Sequence, residues 1–136
     1  VTDPLVILRK ISLLREHLRR VQLRRPPSVD AFRDDVDRQD ALAMSVLVAV
    51  QEAVDVAMHI AADEGWGLPA SHAEAFELLA QHGVISLSHA RELGSIVAVR
   101  NRIAHGYASV DLQRLWSEIP AGVETLERFA EAIATY

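Results

Sequence analysis

From Asp37 to about Asp63 the chain runs without a glycine or a proline, and Ala, Leu, Val and Met fill most of the stretch. Apolar residues stand nearly all round the helical period, which marks a helix enclosed by other elements rather than one lying on a surface. The longest apolar run inside it, Ala41–Val50, is broken only by Ser45 and falls far short of the ~20 residues a membrane crossing needs. The segment therefore predicts a buried central helix, and the rest of the chain must pack round it.

The flanking segments carry helix signals as well. Asp3-Pro4 is a start, with a carboxylate at the N-cap and proline at the first helical position. Leu5, Leu8, Ile11, Leu18 and Val21 keep rough three-to-four spacing up to Pro26-Pro27. Ser28 caps a second helix, with Asp30 and Asp34-Asp35 near its N-terminal end, and Gly65-Trp66-Gly67-Leu68-Pro69 ends the central one. Ser71-His72-Ala73-Glu74 is a capping-box pattern, opening a short helix with Ala75, Phe76, Leu78 and Leu79 inward, which stops near Gly83. Ser86 or Ser88 opens another, through Leu87, Ala90, Leu93, Ile96 and Val97 to about Ala104, with Gly106 as its stop. Asp111 caps a last helix, Leu112 to Tyr136, which Pro120 should kink or split. No strand-period run and no repeat is present. The 136 residues thus read as one domain, 1–136, an all-α antiparallel bundle of four to five helices.

Composition narrows the chemistry. Without cysteine there is no disulfide framework, no thiolate metal site and no cysteine nucleophile. A net charge of -5 argues against a generally basic nucleic-acid coat but leaves local patches open. One is visible: Arg9, Lys10, Arg15, Arg19, Arg20, Arg24 and Arg25 face only Asp3 and Glu16 in the first 25 residues. Such a helix either pairs with the acidic body or offers charge to RNA phosphate or an acidic partner. No signal-peptide pattern opens the chain, so a cytoplasmic location is expected.

The stretch that carries chemistry is Val99-Arg100-Asn101-Arg102-Ile103-Ala104-His105-Gly106-Tyr107. Arg100 and His105 stand about 140° apart on an ideal helix, so they converge only where the helix is ending or across a dimer seam. Asn101 and His105, at i,i+4, share a face. A guanidinium holds phosphate bidentately, and imidazole moves protons near neutral pH. Together they suffice for RNA cleavage without metal: His105 deprotonates the 2′-OH or protonates the leaving 5′-oxygen, and Arg100 stabilises the phosphorane. Glu52, Asp55 and His59 share one face of the central helix. They read as support for this site or as packing; as a metal site they lack the two histidines at i,i+4 of an H-E-x-x-H arrangement. His17, His72, His82 and His89 read as surface residues, and Trp66 and Trp116 as core anchors.

The string R-N-R-I-A-H-G-Y resembles the R-x4-H-x-Y signature of the HepT-like toxins in the HEPN superfamily. Gln51-Glu52-Ala53-Val54-Asp55-Val56-Ala57-Met58-His59-Ile60 resembles the family's long central helix. Phe76-Glu77-Leu78-Leu79-Ala80-Gln81-His82-Gly83-Val84-Ile85 resembles the helix and turn that follow it. The likeness runs in register from about residue 40 to 115. It implies a HEPN-like helical bundle and a metal-independent ribonuclease toxin, dimeric, with two R-x4-H motifs across one cleft. It also implies a partner, a minimal nucleotidyltransferase antitoxin that uses ATP to place AMP on the tyrosine of H-x-Y. Carried onto this sequence, Arg100 and His105 are catalytic, Asn101 is auxiliary, Arg102 lends nearby charge, and Tyr107 accepts AMP. No cofactor of the chain's own is implied, and no metal or membrane. The alternative is a catalytically silent HEPN dimer that serves as the docking subunit of a nucleotidyltransferase.

Overall fold

The computed structural model describes residues 3–136. Six α-helices follow one another: α1 (Pro4–Arg24), α2 (Val29–Arg33), α3 (Val36–Asp63), α4 (His72–Gln81), α5 (Leu87–Gly106) and α6 (Leu112–Ala134). A single 3-10 turn, Tyr107–Ser109, joins the last two, and no strand occurs among the described residues. The all-α reading holds, with α2, at five residues, making the sixth helix.

The caps do what their chemistry requires. Asp3, Ser28, Ser71, Ser86 and Asp111 each accept a hydrogen bond from a backbone N–H in the first turn of their helix. Asp35 does not belong to α2; it caps α3, and Asp34 closes α2. Glu74 completes its capping box one residue early, on the Ala70 N–H at 3.2 Å. α3 and α4 each close on a glycine. Gly65 and Gly83 take positive φ, and the following residues, Trp66 and Val84, donate back to the Ala61 and Leu79 carbonyls at 2.9 Å.

α3 is the centre: it touches every other α-helix, and its Leu42, Ala49, Val50, Ala53, Val54, Val56, Ala57 and Ile60 are buried. It starts at Val36 as one continuous helix. Among the described residues it is the one helix long and apolar enough to cross a membrane, and 56% of that window is buried within the bundle. α1 and α6 pack on it and on each other, while α4 and α5 pair on another side.

Pro120 neither ends nor divides α6. Proline lacks the N–H that would bond the carbonyl four residues back, here that of Trp116. Arg25 takes that carbonyl instead, its Nε donating at 3.0 Å, while its guanidinium stacks 3.9 Å over the Trp116 ring. The indole N–H in turn donates to the Pro26 carbonyl at 2.8 Å.

The core corrects one histidine. His89 is buried, with Nε2 3.1 Å from the Thr125 carbonyl, and its ring stands edge-on to Phe129. Phe129 is also edge-on to Phe76, with centroids 5.4 Å apart. Phe129→Ala is expected to lower stability by about 3–5 kcal/mol, through lost burial and the cavity left behind, as a shift in the urea midpoint checks. Leu78, expected inward, is only partly buried, and Leu87 at the start of α5 is exposed.

Candidate active site

α5 carries the site. Its core face, Ala90, Leu93, Ile96, Val97 and Ile103, is fixed against the bundle, which leaves Arg100, Asn101, Arg102 and His105 at or near the surface. α5 runs to Gly106, whose φ of -160° and ψ of 46° already leave the helical region, so Arg100 and His105 both stand on the helix before it breaks. No hydrogen bond joins the two among the described residues.

His105 is exposed and lines a cleft of about 400 Å³ with Arg102, Ser109, Asp111 and Arg114. Arg100 is not in its wall. Arg102 reaches the cleft but its donors are engaged: its Nη2 donates to both carboxylate oxygens of Glu118, at 3.0 and 3.1 Å, and Arg114 Nε donates to the same carboxylate at 2.8 Å, so the trio keeps one net positive charge. Arg100 differs from both. No carboxylate lies within ion-pair distance of it among the described residues. Its Nη1 donates to the Asn101 side-chain carbonyl at 3.1 Å, and its buried Nε has no partner. Such a guanidinium keeps charge and donors for an anion from outside the chain. Asn101 is thereby oriented by Arg100 rather than by His105.

Tyr107 stands on the 3-10 turn, 38% exposed, and its hydroxyl donates to Asp40 Oδ1 at the start of α3. Burial, then the hydrogen bond to Asp40 and its charge, push the phenol up to about 12. Asp40 is the residue that sequence reasoning missed. It lies 67 positions away from Tyr107, and an acidic residue near a helix start has an ordinary explanation in the helix dipole.

The proposed support from α3 is not brought together with these groups. Gln51 donates to Asp55 at 3.0 Å, Glu52 faces His17 of α1 at 3.6 Å, and His59 faces Asp63 at 3.1 Å. The contact between Asp40 and Tyr107 sets the end of α5 against the start of α3. At 1.5 Å per residue, Glu52, Asp55 and His59 then lie roughly 18, 22 and 28 Å along α3 from Asp40. Among the described residues no three His, Asp or Glu side chains cluster as a metal site would require.

A family model described as Ribonuclease HepT-like matches residues 7–133. The chain is 26% identical over 128 residues to an mRNA nuclease HepT of Shewanella oneidensis, covering 94% of this chain and 96% of that one. It is 20% identical over 134 residues to a tRNA nuclease HepT of Aphanizomenon flos-aquae, covering 98% and 91%. Among solved structures, a tri-AMPylated Shewanella oneidensis HEPN toxin in complex with an MNT antitoxin superposes with a TM-score of 0.88 at 25% identity, over the whole of both chains. A toxin–antitoxin complex with AMP-PNP superposes with a TM-score of 0.86 at 25% identity, over 98% of this chain and 99% of that one.

Proposed function

The chain belongs to the HepT-like ribonuclease family and is the RNA-cleaving toxin of a toxin–antitoxin pair; we propose that it works in the cytoplasm as a homodimer, without a metal or other cofactor of its own. The observation that carries the mechanism is the contrast on α5. Arg102 is held by Glu118, whereas Arg100 has no carboxylate partner and His105 is open to solvent. A phosphate is held best by a guanidinium whose donors are not already taken by a carboxylate.

In this reading Arg100 holds the scissile phosphate and stabilises the charge of the phosphorane. His105 serves the proton transfers: the 2′-oxygen loses its proton and attacks phosphorus, and the P–O5′ bond breaks as the leaving oxygen is protonated. Asn101, oriented by Arg100, offers its amide donors to a phosphate oxygen. A second copy of the chain supplies the partner motif across the seam. Exposed Met44 and half-buried Val48, one and two turns beyond Asp40 on α3, form an apolar strip suited to that contact. Of the arginines of the basic first helix, Arg15 faces Glu131 of α6, while Arg19 and Arg20 share Glu16 of α1 itself, which supports a face that keeps much of its charge for RNA phosphate or an acidic partner. The partner is the minimal nucleotidyltransferase antitoxin, and Tyr107 is the acceptor for the AMP it draws from ATP.

Cleavage of RNA by the purified protein is expected to be unchanged by EDTA, as gel analysis of the products checks. Loss with EDTA, restored by a divalent cation, overturns the metal-free mechanism. RNA left intact in both conditions favours the silent docking subunit.

A further inference from the structure

Tyr107 is held by a carboxylate of its own chain, and the chemistry of adenylylation gives that carboxylate a task. We propose that Asp40 is the proton acceptor for AMP transfer to Tyr107, so that this chain brings both the nucleophile and its base to the reaction. The proposal rests on the reading of Tyr107 as the AMP acceptor.

Transfer forms a bond between the phenolic oxygen and the α-phosphorus of a nucleoside triphosphate. The bond from that phosphorus to the β-phosphate oxygen breaks, and pyrophosphate leaves. The phenol must give up its proton as the new bond forms. In this structure the proton already points at Asp40 Oδ1, the one acceptor bonded to it. A general base must lie within hydrogen-bond reach of the proton it takes, and Asp40 meets that condition before any partner arrives. The geometry also leaves an approach open. Asp40 covers one side of the hydroxyl, Tyr107 is 38% exposed, and Asp40 is itself exposed, so a triphosphate presented by a partner reaches the oxygen from solvent.

The groups round the phenol make such a base necessary. Asp40 comes from α3, and His105 and Asp111 lie on the flanking chain. With the phenol held up to about 12, spontaneous phenolate is scarce at neutral pH. The same carboxylate that suppresses free ionisation accepts the proton in the concerted step. A merely structural bond, tying the start of α3 to the turn after α5, makes no such demand on the charge of residue 40.

The test uses the full chain, the nucleotidyltransferase encoded with it and ATP, with AMP incorporation followed by intact mass. Asp40→Asn keeps an acceptor oxygen but cannot take a proton. Its modification rate is expected to fall by about 100-fold at neutral pH. The deficit is expected to narrow by about tenfold per pH unit as pH rises, because the phenol without Asp40 ionises nearer its ordinary value of about 10. Asp40→Glu, which restores a carboxylate, is expected to recover at least about tenfold of the loss. Modification of Asp40→Asn at the wild-type rate, or a deficit that does not change with pH, overturns the proposal while leaving Tyr107 as acceptor. Adenylylation of Tyr107→Phe overturns the acceptor reading itself, and the role of Asp40 with it.

Discussion

Replacing His105 by alanine is expected to lower RNA cleavage by about 10²–10⁴-fold, the usual contribution of one positioned acid or base. The side chain is exposed, so the folded population should not change, and a thermal melt superposed on that of the wild type separates lost chemistry from lost fold. Arg100→Ala is expected to cost about 10²–10³-fold, as the loss of one preorganised donor at developing charge does. The two variants also report on where the site is built. On α5 the two residues stand about 140° apart round the helix, and no hydrogen bond joins them among the described residues. If the working pair is Arg100 of one protomer and His105 of the other, mixing the variants makes dimers with one complete pair. Cleavage should then return in the mixture though absent from either component. A mixture as inactive as its parts, from subunits shown to exchange, sinks the shared site. A His105→Ala variant that cleaves RNA like the wild type sinks the assignment of the base.

Tyr107→Phe is expected to separate the two halves of the system. The phenyl ring keeps its place on the 3-10 turn, and Asp40, being exposed, can be hydrated when its partner hydroxyl is gone. The Tyr107 hydroxyl is engaged with Asp40 rather than with Arg100 or His105, so cleavage should persist. The acceptor oxygen is absent, so AMP incorporation should drop to background. Growth arrest on expression should then continue when the nucleotidyltransferase is co-expressed. A Tyr107→Phe protein that the partner still silences by AMP transfer rules out Tyr107 as the target. One that no longer cleaves RNA makes Tyr107 part of the cleavage site instead.

Local chemistry was the legible part of this chain. Asp3, Ser71, Ser86 and Asp111 declare helix starts by side chains that bond within three residues, and the string Arg100–Tyr107 declares a site by residues that share one helix end. Long-range pairing was not legible. Glu52, Asp55 and His59 do share a helical face, but periodicity names a face without naming its neighbour: Asp55 and His59 pair within α3, with Gln51 and Asp63, and Glu52 faces His17 of α1. Arg102 looks as available as Arg100 in sequence; only the packing of α6 brings Glu118 to one and not the other. His89 reads as a polar surface residue until the Thr125 carbonyl is placed beside it. The bond between Asp40 and Tyr107 joins two helix ends that only the antiparallel arrangement of α3 and α5 sets together.

The arginine, tryptophan and proline that link the end of α1 to α6 also constrain how this chain can drift. Returning residue 120 to an ordinary amino acid restores the missing N–H, closes the Trp116 carbonyl within its own helix and frees Arg25 to vary. Losing Arg25 first strands that carbonyl in a half-buried position with no donor, which is the costlier of the two intermediates. The less costly order of change is therefore the proline before the arginine, and a variant that keeps Pro120 is expected to be most stable with a long-armed cation at position 25.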